Sequence, residues 1–195
     1  MLSPIRKFRR LLRRLLKDVR GGEAIEIAIV WAPFIALLFA LLELGLVFMV
    51  STTLENATDE ASRKIRTGEL QTNGGNADTM KAGICAEMAW LAGACTSKLN
   101  LDVRTFTSFA DQSTPPDPVA DGAVTPANFC FDPGGAGSIV LVRAYYTWRL
   151  ILPVLNAGLK TVGAGDNRLI MAATSFRNEP YNPATPAPVP CPDLP

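Results

Sequence analysis

Histidine is absent from all 195 residues. That removes imidazole as a general base, the Ser-His-Asp and Cys-His arrangements of nucleophilic catalysis, and most mixed-ligand zinc sites. The four cysteines, Cys85, Cys95, Cys130 and Cys191, form no C-x-x-C pair, which argues against an all-cysteine zinc site. Asp132 and Asp166 lie near glycines, but no calcium-loop spacing of oxygen ligands accompanies them. The glycine-rich run at 134–137 lacks the Lys-Ser/Thr ending of a phosphate loop and precedes a strand-like run, so it reads as a turn. No catalytic residue, cofactor, metal or small-molecule substrate is therefore expected, and the chain does not read as an enzyme.

The net charge of +1 conceals a strong asymmetry. Residues 1–20 hold eight of the 19 Lys/Arg and a single acid, Asp18, which leaves 11 bases against 17 acids in the remainder. A basic head joined to an acidic body excludes the broad basic surface that nucleic-acid binding favours.

Between head and body the sequence reads IAIVWAPFIALLFALLELGLVFMV, from Ile27 to Val50. As a helix its 24 residues extend about 36 Å, enough to cross a hydrocarbon core of about 30 Å with some tilt. A secretory signal peptide fits less well, because the run is long and no small-x-small cleavage pattern follows it closely. Eight bases precede the span, whereas 51–60 carry acids and no base. The positive-inside rule places the head in the cytoplasm and the body beyond the membrane. Apolar residues recurring between the leader's bases would let it lie on an anionic membrane surface. Two carboxylates interrupt the apolar segment: Glu26 at its start and Glu43 well inside it. A carboxylate in lipid costs several kcal/mol unless it is neutralised or paired, so both are functional candidates; snorkelling to the headgroups is the alternative. Pro33 sits early in the span, where the loss of one helix bond is tolerable.

Past the span, Leu54, Ala57, Ala61 and Ile65 continue a helical stripe among charged residues, predicting a stalk that ends at Gly68. A turn follows over 72–76, then a second helix over 77–91 with Met80, Ile84, Met88 and Leu91 on one face. Strand patterns occur at 99–106, 139–148 and 169–176, separated by a proline-rich loop over 112–118. Tyr145, Tyr146 and Trp148 on the second strand could offer a partner-binding cluster, but alternating residues of a strand usually fill a core, so no binding role is assigned to them. Cysteines in even number beyond the membrane point to two disulfides in an oxidising compartment. Three pairings are open. Cys85 with Cys95 closes a short local hairpin if the chain turns back near Gly93, leaving Cys130 to clamp the tail at Cys191. The predicted fold is α+β: a long transmembrane and stalk helix, a second helix and a small antiparallel sheet, disulfide-stabilised. The expected organisation is a cytoplasmic leader over 1–21, a transmembrane helix over 22–50, a displayed domain over 51–180 and a proline-rich tail over 181–195.

The stretch RGGEAIEIAIVWAPFIALLFALLELG resembles the type IV prepilin signal, in the version used by tight-adherence (Tad, or Flp) pilus systems. The resemblance implies cleavage by a prepilin peptidase between Gly21 and Gly22, which makes Glu26 the fifth mature residue; Ile27 stands where Flp pilins often have tyrosine. Leu42-Glu43-Leu44-Gly45, the helix from Leu54 to Ala61, and Ser175-Phe176-Arg177-Asn178-Glu179-Pro180 resemble segments of TadE-like proteins, giving a pilin-like architecture. Since a major Flp pilin is much shorter, the resemblance implies a minor pseudopilin of the bacterial inner membrane. Its domain would be periplasmic, and its partners the prepilin peptidase, other pilins or pseudopilins and the Tad inner-membrane platform. The alternative is an uncleaved, single-pass, TadG-like anchor carrying a periplasmic binding module.

Overall fold

The computed structural model describes residues 22–110, 117, 119–120, 123–125, 128–152, 156–163, 165–182 and 191. The basic leader, most of the proline-rich loop and most of the proline-rich tail lie outside them. The chain divides into two compact units, Met1–Leu42 and Glu43–Pro195.

Helix α1 (Gly22–Arg66) begins in the first unit and ends in the second. Its stop is local: Gly68 takes a left-handed φ of 78°, the C-terminal position that favours glycine. A Cβ there would also overlap the ring of Tyr181. A single turn of helix, α2 (Glu69–Thr72), lies between the stalk's end and the turn expected over 72–76. Helix α3 (Ala77–Glu87) starts with a reciprocal cap: Thr79 N donates to Asn76 Oδ1 (3.0 Å) and Asn76 N donates to Thr79 Oγ1 (2.7 Å).

The predicted second helix ends earlier than expected. After Glu87 the chain passes through a 3-10 turn (Ala89–Leu91) into α4 (Ala92–Lys98). The reversal that brings Cys85 to Cys95 lies at Ala89, with φ 34°, and not at Gly93, which sits inside α4. Met88 and Leu91, on either side of the bend, are both buried. Disulfides join Cys85 to Cys95 and Cys130 to Cys191.

Strands β1 (Leu99–Phe106), β4 (Ile139–Arg149) and β5 (Asn167–Arg177) form one antiparallel sheet in the order β1-β4-β5. A two-residue pair, β2 (Val119–Ala120) with β3 (Ala123–Val124), stands apart, and α5 (Asn156–Leu159) lies between β4 and β5. The period-two alternation separates the sheet's faces. Leu99, Leu101 and Val103, with Val140, Val142, Ala144 and Tyr146, and with Ile170 and Ala172, join the core cluster. That cluster also contains Val47, Val50, Leu54, Ala57, Ala61 and Ile65 of α1, and Met80, Ile84 and Met88. The α+β expectation, with its long apolar helix, small antiparallel sheet and two disulfides, is borne out.

Candidate assembly and anchoring site

Within the first unit, Ile25, Ile27, Ile29, Val30, Trp31, Phe34, Ile35, Leu37, Leu38, Phe39, Leu41 and Leu42 are all exposed. Such an apolar surface on every side of a helix is costly in water and suited to lipid or to neighbouring helices. The 18 residues from Ile25 to Leu42 rise about 27 Å, close to the thickness of a hydrocarbon core. Among the described residues α1 is the one helix long and apolar enough to cross a membrane, which is compatible with a membrane anchor. Gly22 is the first described residue of the helix, and Gly21 falls outside the described residues. Glu26 is exposed, one turn into the helix, and α1 runs through Pro33 without interruption.

Glu43 is different. It is only 2% exposed, at the start of the second unit. Its Oε1 accepts from Ile151 N (2.6 Å) and its Oε2 from Leu152 N (2.8 Å), just beyond the end of β4. Both oxygens of one carboxylate therefore serve as acceptors for two successive backbone donors, in short charge-assisted bonds. This satisfies donors that a strand end otherwise leaves open.

At the other end of α1, Ser175-Phe176-Arg177-Asn178-Glu179-Pro180 returns to the helix terminus. Glu179 N donates to the carbonyl of Arg66 (2.9 Å), and its carboxylate pairs with Arg66 Nε (3.2 Å). The buried Asn178 donates from Nδ2 to the carbonyls of Pro133 and Gly135, 2.9 Å each, while Gln71 Nε2 donates to those of Ile65 and Pro133. The glycine-rich run is thus a turn, as its sequence implies, held by two buried amides. Gly134 is required there: its φ is 66°, and a Cβ would lie 2.7 Å from Thr105 Cγ2.

On the sheet face away from α1, Asp102 is 1% exposed and accepts from Arg104 Nε (3.0 Å), from Arg143 Nε (3.0 Å) and Nη2, and from Cys130 N (2.9 Å). Arg104 Nη2 donates onward to Asn128 O (2.7 Å), and Phe129 packs on Tyr145 with ring centroids 5.6 Å apart. The segment around the Cys130–Cys191 disulfide therefore covers a buried ionic cluster. Sequence reasoning missed this group. Its visible signal is Arg143, one charge in the apolar run Ile139-Val140-Leu141-Val142-Arg143-Ala144-Tyr145-Tyr146, and the register places it opposite Asp102. Tyr146 lies in the core, Tyr145 is buried on the opposite face, and Trp148 is half-buried against Trp90 (6.3 Å, edge to face). Burial raises the Tyr145 pKa above the usual phenol value, with Arg143 opposing. Among the described residues no three His, Cys, Asp or Glu side chains gather so as to hold a metal ion.

The family model of TadE-like proteins matches residues 21–63, which are the residue before α1 and nearly all of that helix. The match is consistent with a TadE-like protein of Tad pilus systems, and it covers less than a quarter of the chain. No curated protein matches the chain, and no solved structure does.

Proposed function

We propose that this chain is a TadE-like minor pseudopilin that acts in assembly of Tad (Flp) type IV pili for adhesion. A prepilin peptidase would cut it between Gly21 and Gly22. The leader lies in the cytoplasm, α1 anchors the chain in the inner membrane, and the domain stands in the periplasm. The observation that carries this reading is the family match, which begins at residue 21; a cut after Gly21 leaves Glu26 as the fifth residue of the mature chain.

The chemistry favours the assembly role over a plain anchor. Cleavage creates an amine at Gly22. An exposed carboxylate one turn into an otherwise apolar helix can pair with that amine on a neighbouring subunit, neutralising both charges and setting the register between helices. Other pilins and the inner-membrane platform are the partners this implies, with no nucleic acid, cofactor or small-molecule substrate. Mass spectrometry of the chain from cells with active peptidase tests the cut. A mature N-terminus at Gly22 is expected, and an intact Met1 overturns it in favour of an uncleaved, TadG-like anchored binding module. Glu26→Ala is expected to leave membrane insertion intact and abolish piliation; normal piliation in that variant refutes the pairing.

A further inference from the structure

Strand β5 is the last strand of the sheet, and among the described residues no strand lies on its outer side. In an antiparallel sheet the N–H and C=O of one residue point to the same side, and successive residues alternate. The bonds at the two ends of β5 fix that alternation. Asn178 N donates to Ser138 O (2.9 Å), so even-numbered residues face β4. Asn167 O accepts from Thr161 N (3.1 Å) and Leu169 N donates to Thr161 Oγ1 (2.7 Å), so odd-numbered residues face outward. Thr161 closes the edge only as far as Leu169. Beyond it the N–H and C=O of Met171, Ala173 and Ser175 point outward, and among the described residues no hydrogen bond reaches them. All three residues are exposed.

Exposed edges are ordinarily blunted by a charge, a proline or a bulge. Leu169-Ile170-Met171-Ala172-Ala173-Thr174-Ser175-Phe176 contains neither charge nor proline, and its register with β4 runs without a skipped residue. The opposite edge of the sheet is closed. Val103 N of β1 donates to Cys130 O (2.8 Å) and Val103 O accepts from Asp132 N (2.8 Å), so the segment carrying the Cys130–Cys191 disulfide covers it. Beside Met171, a cavity of about 320 Å³ lies between Leu44, Val47 and Phe48 of α1 and 168–171 of β5. An open edge with an apolar pocket next to it is the arrangement that strand addition uses: backbone bonds give affinity, and a pocket for a side chain gives specificity.

We infer that the open edge of β5 receives an extended segment of another protein, which joins the sheet as a fourth strand, places an apolar side chain in the cavity and sets carboxylates beside Arg168 and Arg177. Charge selects this occupant. Arg168 and Arg177 are the only charged residues of β5, and they flank the open stretch. Among the described residues each donates to a backbone carbonyl, of Leu159 and Gly137 respectively, and to no carboxylate. Pairing with β5 of a second copy would line the seam with the guanidiniums of both chains and no carboxylate from either strand. A second copy has no other edge to offer, because β1 is covered. The chain's own tail is tied at Cys191 to Cys130, on that covered side. The partner segment is therefore foreign, free of proline at its bonding positions and acidic at its ends. The edge belongs to the second unit alone, so it is open whether or not the leader is cut.

The probe is a peptide of about seven residues, alternating leucine and threonine between terminal aspartates and N-methylated on every second residue, so that only one of its edges can pair. Hydrogen exchange of the unaltered full chain in detergent micelles is read amide by amide. In the chain alone, Met171, Ala173 and Ser175 are expected to exchange fast, and Ala172 and Thr174, bonded to β4, slowly. Peptide at up to about 1 mM is expected to slow the first three by roughly tenfold or more. No slowing overturns the inference. The same peptide N-methylated at every residue can pair on neither edge and is expected to leave the three amides fast; equal slowing by it overturns strand addition. Lysines in place of the terminal aspartates are expected to weaken binding by about tenfold, and equal affinity overturns the acidic assignment. Slow exchange of all three amides without peptide also overturns the inference. If it grows with chain concentration the occupant is a second copy, and if it does not the edge is closed within the chain.

Discussion

Replacing Glu43 tests whether its carboxylate ties the end of β4 to α1. Two backbone donors end on it, Ile151 N at 2.6 Å and Leu152 N at 2.8 Å. A hydrogen bond to a charged acceptor contributes about 1.5–3 kcal/mol, and a donor left buried without a partner costs about 1–3 kcal/mol. Ile151 is exposed, so its amide regains water when the carboxylate is removed; Leu152 is half-buried and regains less. Glu43→Ala is therefore expected to lower stability by about 2–4 kcal/mol. Glu43→Gln keeps one acceptor oxygen but turns an amide donor toward the other N–H, and about half that loss is expected. Urea unfolding in detergent micelles, followed by Trp90 and Trp148 emission in a Trp31→Phe background, gives the stabilities. Hydrogen exchange locates the effect, because the amides of residues 151 and 152 should lose protection while that of Asn178, bonded to Ser138 O at the far end of the domain, keeps it. An alanine variant within about 0.5 kcal/mol of the parent, with unchanged exchange at 151 and 152, refutes the tether.

Asp102→Asn removes the one negative charge between two buried guanidiniums and is expected to cost about 3–5 kcal/mol in urea unfolding; replacing Asp102, Arg104 and Arg143 together by apolar residues of similar volume should cost much less. Tyr145→Phe is expected to stabilise by about 1 kcal/mol, because among the described residues the buried Tyr145 hydroxyl has no hydrogen-bond partner. Burial raises the folded-state pKa of Tyr145, so its contribution is complete below the ordinary phenol value of about 10 and is lost as pH rises through the raised one. Tyr146 and Tyr181 are shifted the same way by burial, so Tyr145→Phe should lessen, without abolishing, an unfolding seen at alkaline pH by circular dichroism. Removing the Cys130–Cys191 disulfide, with its separation of 61 residues, should destabilise more than removing Cys85–Cys95, separated by 10, by about 1.5 kcal/mol on the loop-entropy account; paired serine variants and thermal unfolding measure the difference.

The elements that were legible in the sequence are those whose burial repeats at a fixed period. Leu54, Ala57, Ala61 and Ile65 mark one face of α1, and Leu99, Leu101 and Val103 mark one face of β1, because each residue meets the same core as the next. The disulfides were legible only as a preference among three pairings. Ala89 was not legible: glycine is the usual carrier of a positive φ, and the nearby Gly93 offered the more obvious turn, yet Ala89 takes the positive φ where the chain reverses to bring Cys85 to Cys95. The pairing of β2 with β3 is two residues long, too short for any alternation to reveal it.

The polar groups were illegible for a different reason. Glu43 stands out in an apolar run, but its donors lie 108 and 109 residues away and are backbone N–H groups, which no side-chain pattern marks. Arg143 stands out in the same way, and its partner follows only from the register that sets it opposite Asp102. These groups do what apolar packing cannot. The core stripe of α1 would tolerate a slide along the sheet by one helical turn, since its buried positions repeat at that spacing. The bonds from Ile151 and Leu152 to Glu43, midway along α1, and from Glu179 to Arg66 at its C-terminal end, would both break in such a slide. If Glu43 serves that register, then Glu43→Ala combined with disruption of the Arg66–Glu179 pair should destabilise by more than the sum of the separate changes. Strict additivity in that double-mutant cycle would show that α1 is held independently at Glu43 and at Arg66.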